Sequence, residues 1–244
     1  MPGATIDTWA LHIQGVALEL VHRAEVRPTV FSLFLANALR TVEGDRTVCD
    51  LGTGCGLLAI VLARMGAERV IAIDHSELAC ELAAENARRN GVSDRVEVVV
   101  GEMAELKASS FDLLVSNPPT MPGLGAPGFA SGGIDNLDTV RAIAHGLDAW
   151  MAPGGRLQIA LSSLVASEAL DLFQARGFRA VPGTDLLVPF RPFYYDCYED
   201  HELEELVVAG RVVAEEDPRA LSEVVTVYTV ERGEGGSQMP SLGS

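Results

Sequence analysis

The strongest constraint on the fold is an alternation of short apolar strands with helices between residues 47 and 116. The pattern predicts strands at 47–51, 69–73, 95–100 and 111–116, with helices at 56–65 and 76–90. Parallel strands need crossover connections, and the crossing helices cover both faces of the sheet. The segment therefore predicts an α/β fold with a doubly wound, mostly parallel sheet.

The rest of the chain completes a seven-stranded sheet. Later elements are predicted as a helix at about 135–150, a strand at 155–161, a helix at 163–176, a strand near 178–181 and a last strand at 223–231. The expected domains are an N-terminal helical segment at 1–45, in which Pro28 and Thr29 open a second helix through Leu39, a main domain at 46–232 and a disordered tail at 233–244. About 40 residues (183–222) form an insertion before the last strand, far more than a tight connection requires.

A glycine-rich turn, Asp50-Leu51-Gly52-Thr53-Gly54-Cys55-Gly56, joins the first strand to its helix. Glycines at this place let a ligand approach the backbone, and the first amides of the helix point at it. Asp74 closes the second strand 20 residues after Gly54, where a carboxylate can accept hydrogen bonds from a ribose diol. A tight connection without a ligand, and a solvated N-cap aspartate, are the alternatives.

The glycine spacing separates two nucleoside cofactors. A dinucleotide site requires G-x-G-x-x-G, but its third glycine would fall at Leu57. The observed G-x-G-x-G resembles motif I of the class I S-adenosylmethionine (SAM)-dependent methyltransferases. This resemblance implies SAM as cofactor, an antiparallel last strand, Asp74 at the ribose and Glu102 at the adenine amine. The alternative for Glu102 is an ordinary glutamate in the first turn of a helix. The implied cofactor-binding residues are Asp50, Gly52, Gly54, Gly56, Asp74, Glu102 and Asn117.

The sequence Asn117-Pro118-Pro119-Thr120 follows the fourth strand, at the carboxyl edge where open parallel sheets bind ligands. Two prolines fix the backbone and remove two N–H donors. The Asn117 side-chain oxygen and the Pro118 carbonyl are therefore the candidate catalytic groups, which would aim the nitrogen of a carboxamide or ring amine at a methyl carbon. A rigid turn is the alternative.

This segment resembles the NPPY motif of nitrogen-directed methyltransferases, particularly the release-factor glutamine methyltransferases. The stretch from Ser131 to Asp138 resembles that family's GGxDGLD segment, and the turn at 153–155 resembles the one before its fifth strand. The resemblance covers about residues 47–160. Three departures are clear. Thr120 replaces an aromatic residue that packs against the acceptor, and about 46 residues before the first strand are few for a domain that grips a release factor. The third departure is the insertion of about 40 residues before the last strand.

The insertion is rich in aromatic residues, and five of the chain's 14 lie between 190 and 198: Phe190, Phe193, Tyr194, Tyr195 and Tyr198. If the sixth strand is parallel to the others, the insertion leaves the sheet at the same edge as Asn117. It would then cap the substrate and replace the aromatic residue missing at Thr120. The candidate substrate residues are Thr120, Phe193, Tyr194 and Tyr195, with a satellite core or a dimer contact as equal alternatives.

Composition argues against several classes of protein. A net charge of −16 repels phosphate backbones and anionic lipid, and no stretch approaches 18 consecutive apolar residues. The four cysteines form no CxxC pair, and no two histidines have metal-ligand spacing. We therefore expect a cytoplasmic protein with reduced thiols and without a metal, a membrane partner or a nucleic-acid partner, and we leave a homodimer open.

Together these features predict a SAM-dependent methyltransferase that acts by direct in-line displacement on a nitrogen of a small molecule or a protein side chain. The short N-terminus and the aromatic insertion slightly favour a small molecule, whereas the family resemblance favours a protein glutamine. A nicotinamide-dependent oxidoreductase and a catalytically inactive binding protein are the alternatives from other classes.

Overall fold

Ten strands and seven helices are present in the computed structural model, which describes residues 6–41, 45–107, 110–120, 137–190, 192–195, 197–214 and 220–233. The strands are β1 (Asp7–Ile13), β2 (Val16–His22), β3 (Thr47–Leu51), β4 (Arg69–Asp74), β5 (Val96–Val100), β6 (Phe111–Ser116), β7 (Met151–Ser162), β8 (Phe178–Pro189), β9 (Val212–Ala214) and β10 (Leu221–Arg232). The helices are α1 (Val30–Ala38), α2 (Leu57–Arg64), α3 (Glu77–Arg89), α4 (Asp138–Trp150), α5 (Ala166–Gln174), α6 (Pro192–Tyr195) and α7 (Asp200–Val208).

The central sheet has the strand order β5-β4-β3-β6-β7-β10-β8, and β9 pairs with the start of β10. The strands from β5 to β7 are parallel neighbours, whereas β10 is antiparallel to both β7 and β8. This confirms the predicted mostly parallel α/β sheet and the antiparallel last strand, with the short β9 as an eighth strand. The chain order reverses between β3 and β6, which is where such sheets bind ligands.

Two apolar clusters cover the two faces of the sheet. On one face α1 and α2 pack through fully buried side chains such as Leu35 and Ile60. On the other face α4 and α5 pack through Leu147 and Phe173, which are also fully buried. The sheet is therefore wound on both faces, as the strand–helix alternation predicts.

The N-terminal segment is not helical throughout, which corrects the prediction for residues 1–45. β1 and β2 form an antiparallel hairpin, closed by Gln14 (φ 54°) and Gly15 (φ 78°). Two consecutive residues with positive φ are what a two-residue hairpin turn requires, because their twist matches that of the flanking strands. The helix predicted from Thr29 is present as α1, with Thr29 as its N-cap.

Two asparagine side chains, Asn86 of α3 and Asn90 at its C-cap, hydrogen-bond the backbone of β2. Asn86 accepts from the Val21 amide at 2.7 Å and donates to the Val21 carbonyl at 2.8 Å. Asn90 does the same with Glu19, at 3.0 and 2.7 Å. Four helical residues rise about 6 Å and two strand residues about 6.8 Å, so the two spacings match. These side-chain amides take the place of a neighbouring strand at this edge of β2, and they attach the hairpin to α3.

The insertion is shorter than the predicted 183–222, because β8 continues to Pro189 and β10 begins at Leu221. It contains α6, α7 and β9. Residues 234–244 of the predicted tail lie outside the described part of the chain. Among the described helices none combines the length and the apolar character of a membrane span.

Candidate functional site

A cavity of about 560 Å³ opens at the carboxyl edge of the sheet, where β3, β4 and β6 end. It lies at the reversal of strand order, the usual position of a ligand site in such sheets. Four segments supply most of its wall: residues 25–29 with Ser32, the glycine turn, Asp74 to Ser76, and Asn117 to Pro119. The remaining lining residues among those described are Leu57, Leu58, Leu78, Met103 and Thr139.

Gly52 and Gly54 line this cavity with left-handed backbone, at φ 76° and 56°. A Cβ atom at either position would meet no atom within 4 Å. Glycine is therefore favoured here by the backbone angle and not by crowding, and the space beside the turn is open to a ligand. Gly56 has another role, because a Cβ there would lie 3.0 Å from the Ala83 Cα atom. Gly56 therefore permits α2 to pack closely against α3, and it is not part of the cavity wall.

Asp50 is completely buried beneath the turn and does not line the cavity. Its Oδ2 atom accepts hydrogen bonds from the Thr53 hydroxyl at 2.7 Å and the Ala59 amide at 3.0 Å. Its Oδ1 atom has no partner in the described part of the chain. Burial raises the pKa of Asp50 to about 7, against the lowering effect of the two hydrogen bonds. Through these two bonds Asp50 connects the glycine turn at Thr53 to α2 at Ala59.

Asp74 lies on the cavity wall with its side chain 11% exposed. Its Oδ2 atom accepts from the Gly54 amide at 2.9 Å, and its Oδ1 atom accepts from the Ser76 amide at 3.0 Å. A carboxylate offers about four acceptor positions, so two backbone bonds leave capacity for two hydroxyl groups. The geometry therefore places the glycine turn beside an acid that can still accept hydrogen bonds from a ligand.

Asn117 follows β6, whose last residue is tied to β3 by a hydrogen bond from the Ser116 hydroxyl to the Leu51 carbonyl at 2.9 Å. The Asn117 Nδ2 atom donates to the Thr29 Oγ1 atom at 3.3 Å. Its Oδ1 atom is buried and has no partner among the described residues. Pro118 lies beside it on the cavity wall. An unpartnered buried acceptor costs free energy, and a ligand N–H group would remove that cost.

Glu102 and Thr120, predicted for the cofactor and the substrate, do not line the cavity. Glu102 is exposed at the start of the 3₁₀ turn Met103–Glu105 and is absent from the cavity wall, to which its neighbour Met103 belongs. Thr120 is buried but also lies off the wall. Residues 131–136 of the segment that resembles GGxDGLD lie outside the described part of the chain.

The aromatic residues of the insertion form a satellite of the core. Phe190 stacks on Tyr194 at 4.7 Å between ring centroids and meets Tyr195 edge-on at 5.8 Å. The Tyr194 hydroxyl donates to the Glu223 Oε1 atom at 2.9 Å, and the Tyr195 hydroxyl accepts from the Leu221 amide at 3.1 Å. Neither tyrosine lines the cavity. The side chain of Phe193 lies outside the described part.

The strand order explains why the insertion lies away from the cavity. β8 has the same direction as β7, as predicted, so the insertion does leave the sheet at the carboxyl edge. However, β7 and β10 separate β8 from β6, and three strand spacings amount to roughly 14 Å. The two tyrosines therefore do not cap the cavity as expected.

Sequence reasoning missed the wall supplied by residues 25–32, which it placed outside the main domain. Arg23 and Val26 pair across a tight turn at the end of the hairpin, and Pro28 and Thr29 then open α1. Residues 25–29 and Ser32 line the cavity together with the glycine turn. The sequence indicates where α1 begins, but the placement of this helix start at the cavity depends on the hairpin that precedes it.

Comparison with known proteins agrees with this geometry. Residues 27–118 match the family model for ribosomal protein L11 methyltransferase (PrmA). The ribosomal protein L11 methyltransferase of Pelotomaculum thermopropionicum is 50% identical over 76 residues, which cover 31% of this chain and 25% of that protein. The release factor glutamine methyltransferase of Cereibacter sphaeroides is 37% identical over 168 residues, covering 61% of this chain and 60% of that protein. The chain thus spans a quarter to three fifths of these relatives.

Solved structures share the fold. The Thermus thermophilus 16S rRNA N2 G1207 methyltransferase, determined with AdoMet and guanosine, has a TM-score of 0.61 at 20% sequence identity. The match covers 95% of this chain and 51% of that one. At this identity the likeness concerns the fold alone.

Proposed function

This chain belongs to the class I SAM-dependent methyltransferases, and on that premise we propose that it transfers a methyl group from SAM to the side-chain carboxamide nitrogen of a protein glutamine. The observation that carries the proposal is the Asn117 Oδ1 atom, which is buried at the cavity and lacks a partner in the described part of the chain. A carboxamide N–H group is a donor of the kind that this acceptor requires.

The cavity wall fits SAM. Gly52 and Gly54 leave open space where side chains would otherwise stand, and their turn would hold the amino-acid end of the cofactor. Asp74 would accept the two ribose hydroxyls. When bound, SAM supplies an electrophilic methyl group on a sulfonium sulfur.

The residues after β6 address the weak nucleophilicity of a carboxamide, whose nitrogen lone pair is delocalised. Asn117 Oδ1 and the Pro118 carbonyl would each accept one N–H group of the acceptor and so orient its nitrogen. Pro118 and Pro119 have no amide hydrogens, so neither residue supplies a backbone donor that would compete for these oxygens. Their contribution is positioning and exclusion of water from the acceptor nitrogen.

A protein acceptor is favoured over a small molecule by two findings. Tyr194 and Tyr195, the aromatic residues that supported a small-molecule cap, lie off the cavity wall. The relative that is 37% identical is named for glutamine methylation of a release factor. The net charge of −16 disfavours an RNA acceptor.

The proposal is tested by incubating the purified protein with methyl-deuterated SAM and an extract of the producing cells, followed by mass spectrometry of digested protein, RNA and small-molecule fractions. We expect the label in protein, as N5-methylglutamine. Label confined to RNA, or to small molecules, would contradict the proposed acceptor. The Asp74→Ala variant is the control for transfer that does not depend on this site.

A further inference from the structure

We propose that Thr29 is a positioning residue, whose hydroxyl fixes the orientation of the Asn117 carboxamide so that Oδ1, and not Nδ2, faces the acceptor nitrogen. Thr29 lies on the cavity wall at the N-cap of α1, 88 positions before Asn117 in sequence. The inference rests on the proposed function, because the orientation matters only if Oδ1 accepts a hydrogen bond from the acceptor.

The hydrogen bonds around Thr29 determine the direction of its hydroxyl group. The Ser32 hydroxyl donates its proton to the Thr29 carbonyl at 2.9 Å. In the contact of 3.2 Å between the two hydroxyl oxygens, Thr29 is therefore the donor and Ser32 the acceptor. A hydroxyl has one donor and two acceptor positions, so the remaining Thr29 contacts must be accepted bonds.

Those two accepted bonds come from the Ser32 amide at 3.1 Å and from Asn117 Nδ2 at 3.3 Å. The one donor and both acceptor positions of the Thr29 hydroxyl are then occupied, and its proton does not point at Asn117. A flipped carboxamide would bring Oδ1 against an oxygen without a proton, which is repulsive. The N-cap network of α1 thus determines which edge of the Asn117 carboxamide bonds Thr29 and which edge is left without a partner among the described residues.

The test uses three single variants. Thr29→Val keeps the side-chain shape but removes the hydroxyl, whereas Thr29→Ser retains it and should restore wild-type behaviour. Glu202→Ala is the control for loss of a helix cap, because Glu202 accepts from the Glu199 amide at 2.7 Å at the start of α7 in the insertion. We expect Thr29→Val and Glu202→Ala each to lower the melting temperature by about 2–4 °C.

The orientation is measured directly by nuclear magnetic resonance of the side-chain amide of Asn117, assigned by its loss in Asn117→Asp. We expect nuclear Overhauser contacts between the Nδ2 protons and the Thr29 side chain in the wild type. The Nδ2 shift should be kept in Thr29→Ser and changed in Thr29→Val. Absence of the contacts, or an unchanged shift in Thr29→Val, would overturn the assignment whatever the acceptor is.

The effect on transfer is measured with methyl-deuterated SAM and the labelled protein fraction of the extract. At saturating SAM, Thr29→Val should lower the transfer rate about 10-fold with a SAM dissociation constant within about 2-fold of wild type. Thr29→Ser and Glu202→Ala should stay near the wild-type rate. An equal loss in Glu202→Ala would mean that stability alone explains the result. If the wild type labels no nitrogen, the proposed function fails, while the resonance measurement still decides the orientation.

Discussion

Two buried carboxylates at the carboxyl edge of the sheet differ in how their oxygen atoms are hydrogen-bonded. Asp50, beneath the glycine turn, is completely buried, and its Oδ1 atom has no partner in the described part of the chain. Glu223, beneath the insertion, is 1% exposed, and its two oxygens accept from the Ser162 and Tyr194 hydroxyls. The cavity side also contains the unpartnered Asn117 Oδ1 atom.

The two regions therefore differ: buried acceptors near the cavity lack partners among the described residues, whereas the tyrosine hydroxyls of the insertion bond within the protein. Leaving a buried acceptor without a partner costs about 1–3 kcal/mol, so such groups persist where something other than packing maintains them. The insertion has more aromatic chemistry, yet its tyrosine hydroxyls are used internally. Among the described residues, the unpartnered oxygens of Asp50 and Asn117 therefore distinguish the cavity region from the aromatic cluster of the insertion.

The largest expected effect concerns Asn117, whose Oδ1 atom has no partner in the described part of the chain. Asn117→Ala should lower turnover by about 100-fold or more, because the lost interaction orients the nucleophile in the transition state. SAM affinity should remain nearly intact, since the glycine turn and Asp74 are unchanged. The measurement is transfer from methyl-deuterated SAM, corrected for the SAM-bound fraction. Near-normal corrected turnover would remove Asn117 from the catalytic set.

A second effect concerns the acid that shares the cavity wall with Asn117. Asp74→Ala should weaken SAM binding by about 1.5–3 kcal/mol, the range for hydrogen bonds to a charged group. It should also remove most of the increase in melting temperature that SAM produces, because a ligand stabilises the state it binds. Calorimetric titration and thermal melting measure both. A melting shift equal to that of the wild type would exclude Asp74 from the cofactor site.

The insertion should respond in the opposite way. Tyr194→Phe removes the hydroxyl that donates to Glu223, and the weakened network should lower the free energy of unfolding by about 1–2 kcal/mol. Turnover per folded molecule should not change, because Tyr194 does not line the cavity. Urea unfolding and transfer assays on the same preparation test this. A large fall in turnover with intact stability would return the insertion to the active site.

The smallest expected effect is the pH dependence from Asp50. Burial raises the pKa of Asp50 from about 4 to about 7 in the folded protein. Protonated Asp50 therefore stabilises the folded state, and this contribution to the free energy of unfolding is lost as the pH rises from about 4 through 7. Between pH 6 and 8 the free energy of unfolding should fall by about 1 kcal/mol from this group. Asp50→Asn should flatten the profile of melting temperature against pH. The same slope in both proteins would show that other groups cause it.

Local patterns in the sequence sufficed for the elements that form the site. The strand–turn–helix signal at 47–65 located Gly52 and Gly54, and the end of the second and fourth strands located Asp74 and Asn117. Each depends on residues adjacent in the chain, so periodicity and turn chemistry were enough.

The rest depended on contacts between distant residues. The hairpin at 7–22 has its edge bonded by Asn86 and Asn90 about 70 positions later, and no local pattern reveals this pairing. The distance of the insertion from the cavity follows from β10 lying between β7 and β8. Strand order is a property of the whole chain, which explains why the aromatic residues looked closer to the site than they are.

The most direct test of the difference between the two regions is a single-turnover comparison of Asn117→Ala and Tyr194→Phe with the wild type at saturating SAM. Because both changes remove one polar group, the matched measurement separates chemistry from folding. We predict a transfer rate about 100-fold lower for Asn117→Ala and a wild-type rate for Tyr194→Phe. Equal rates in the two variants would contradict the account.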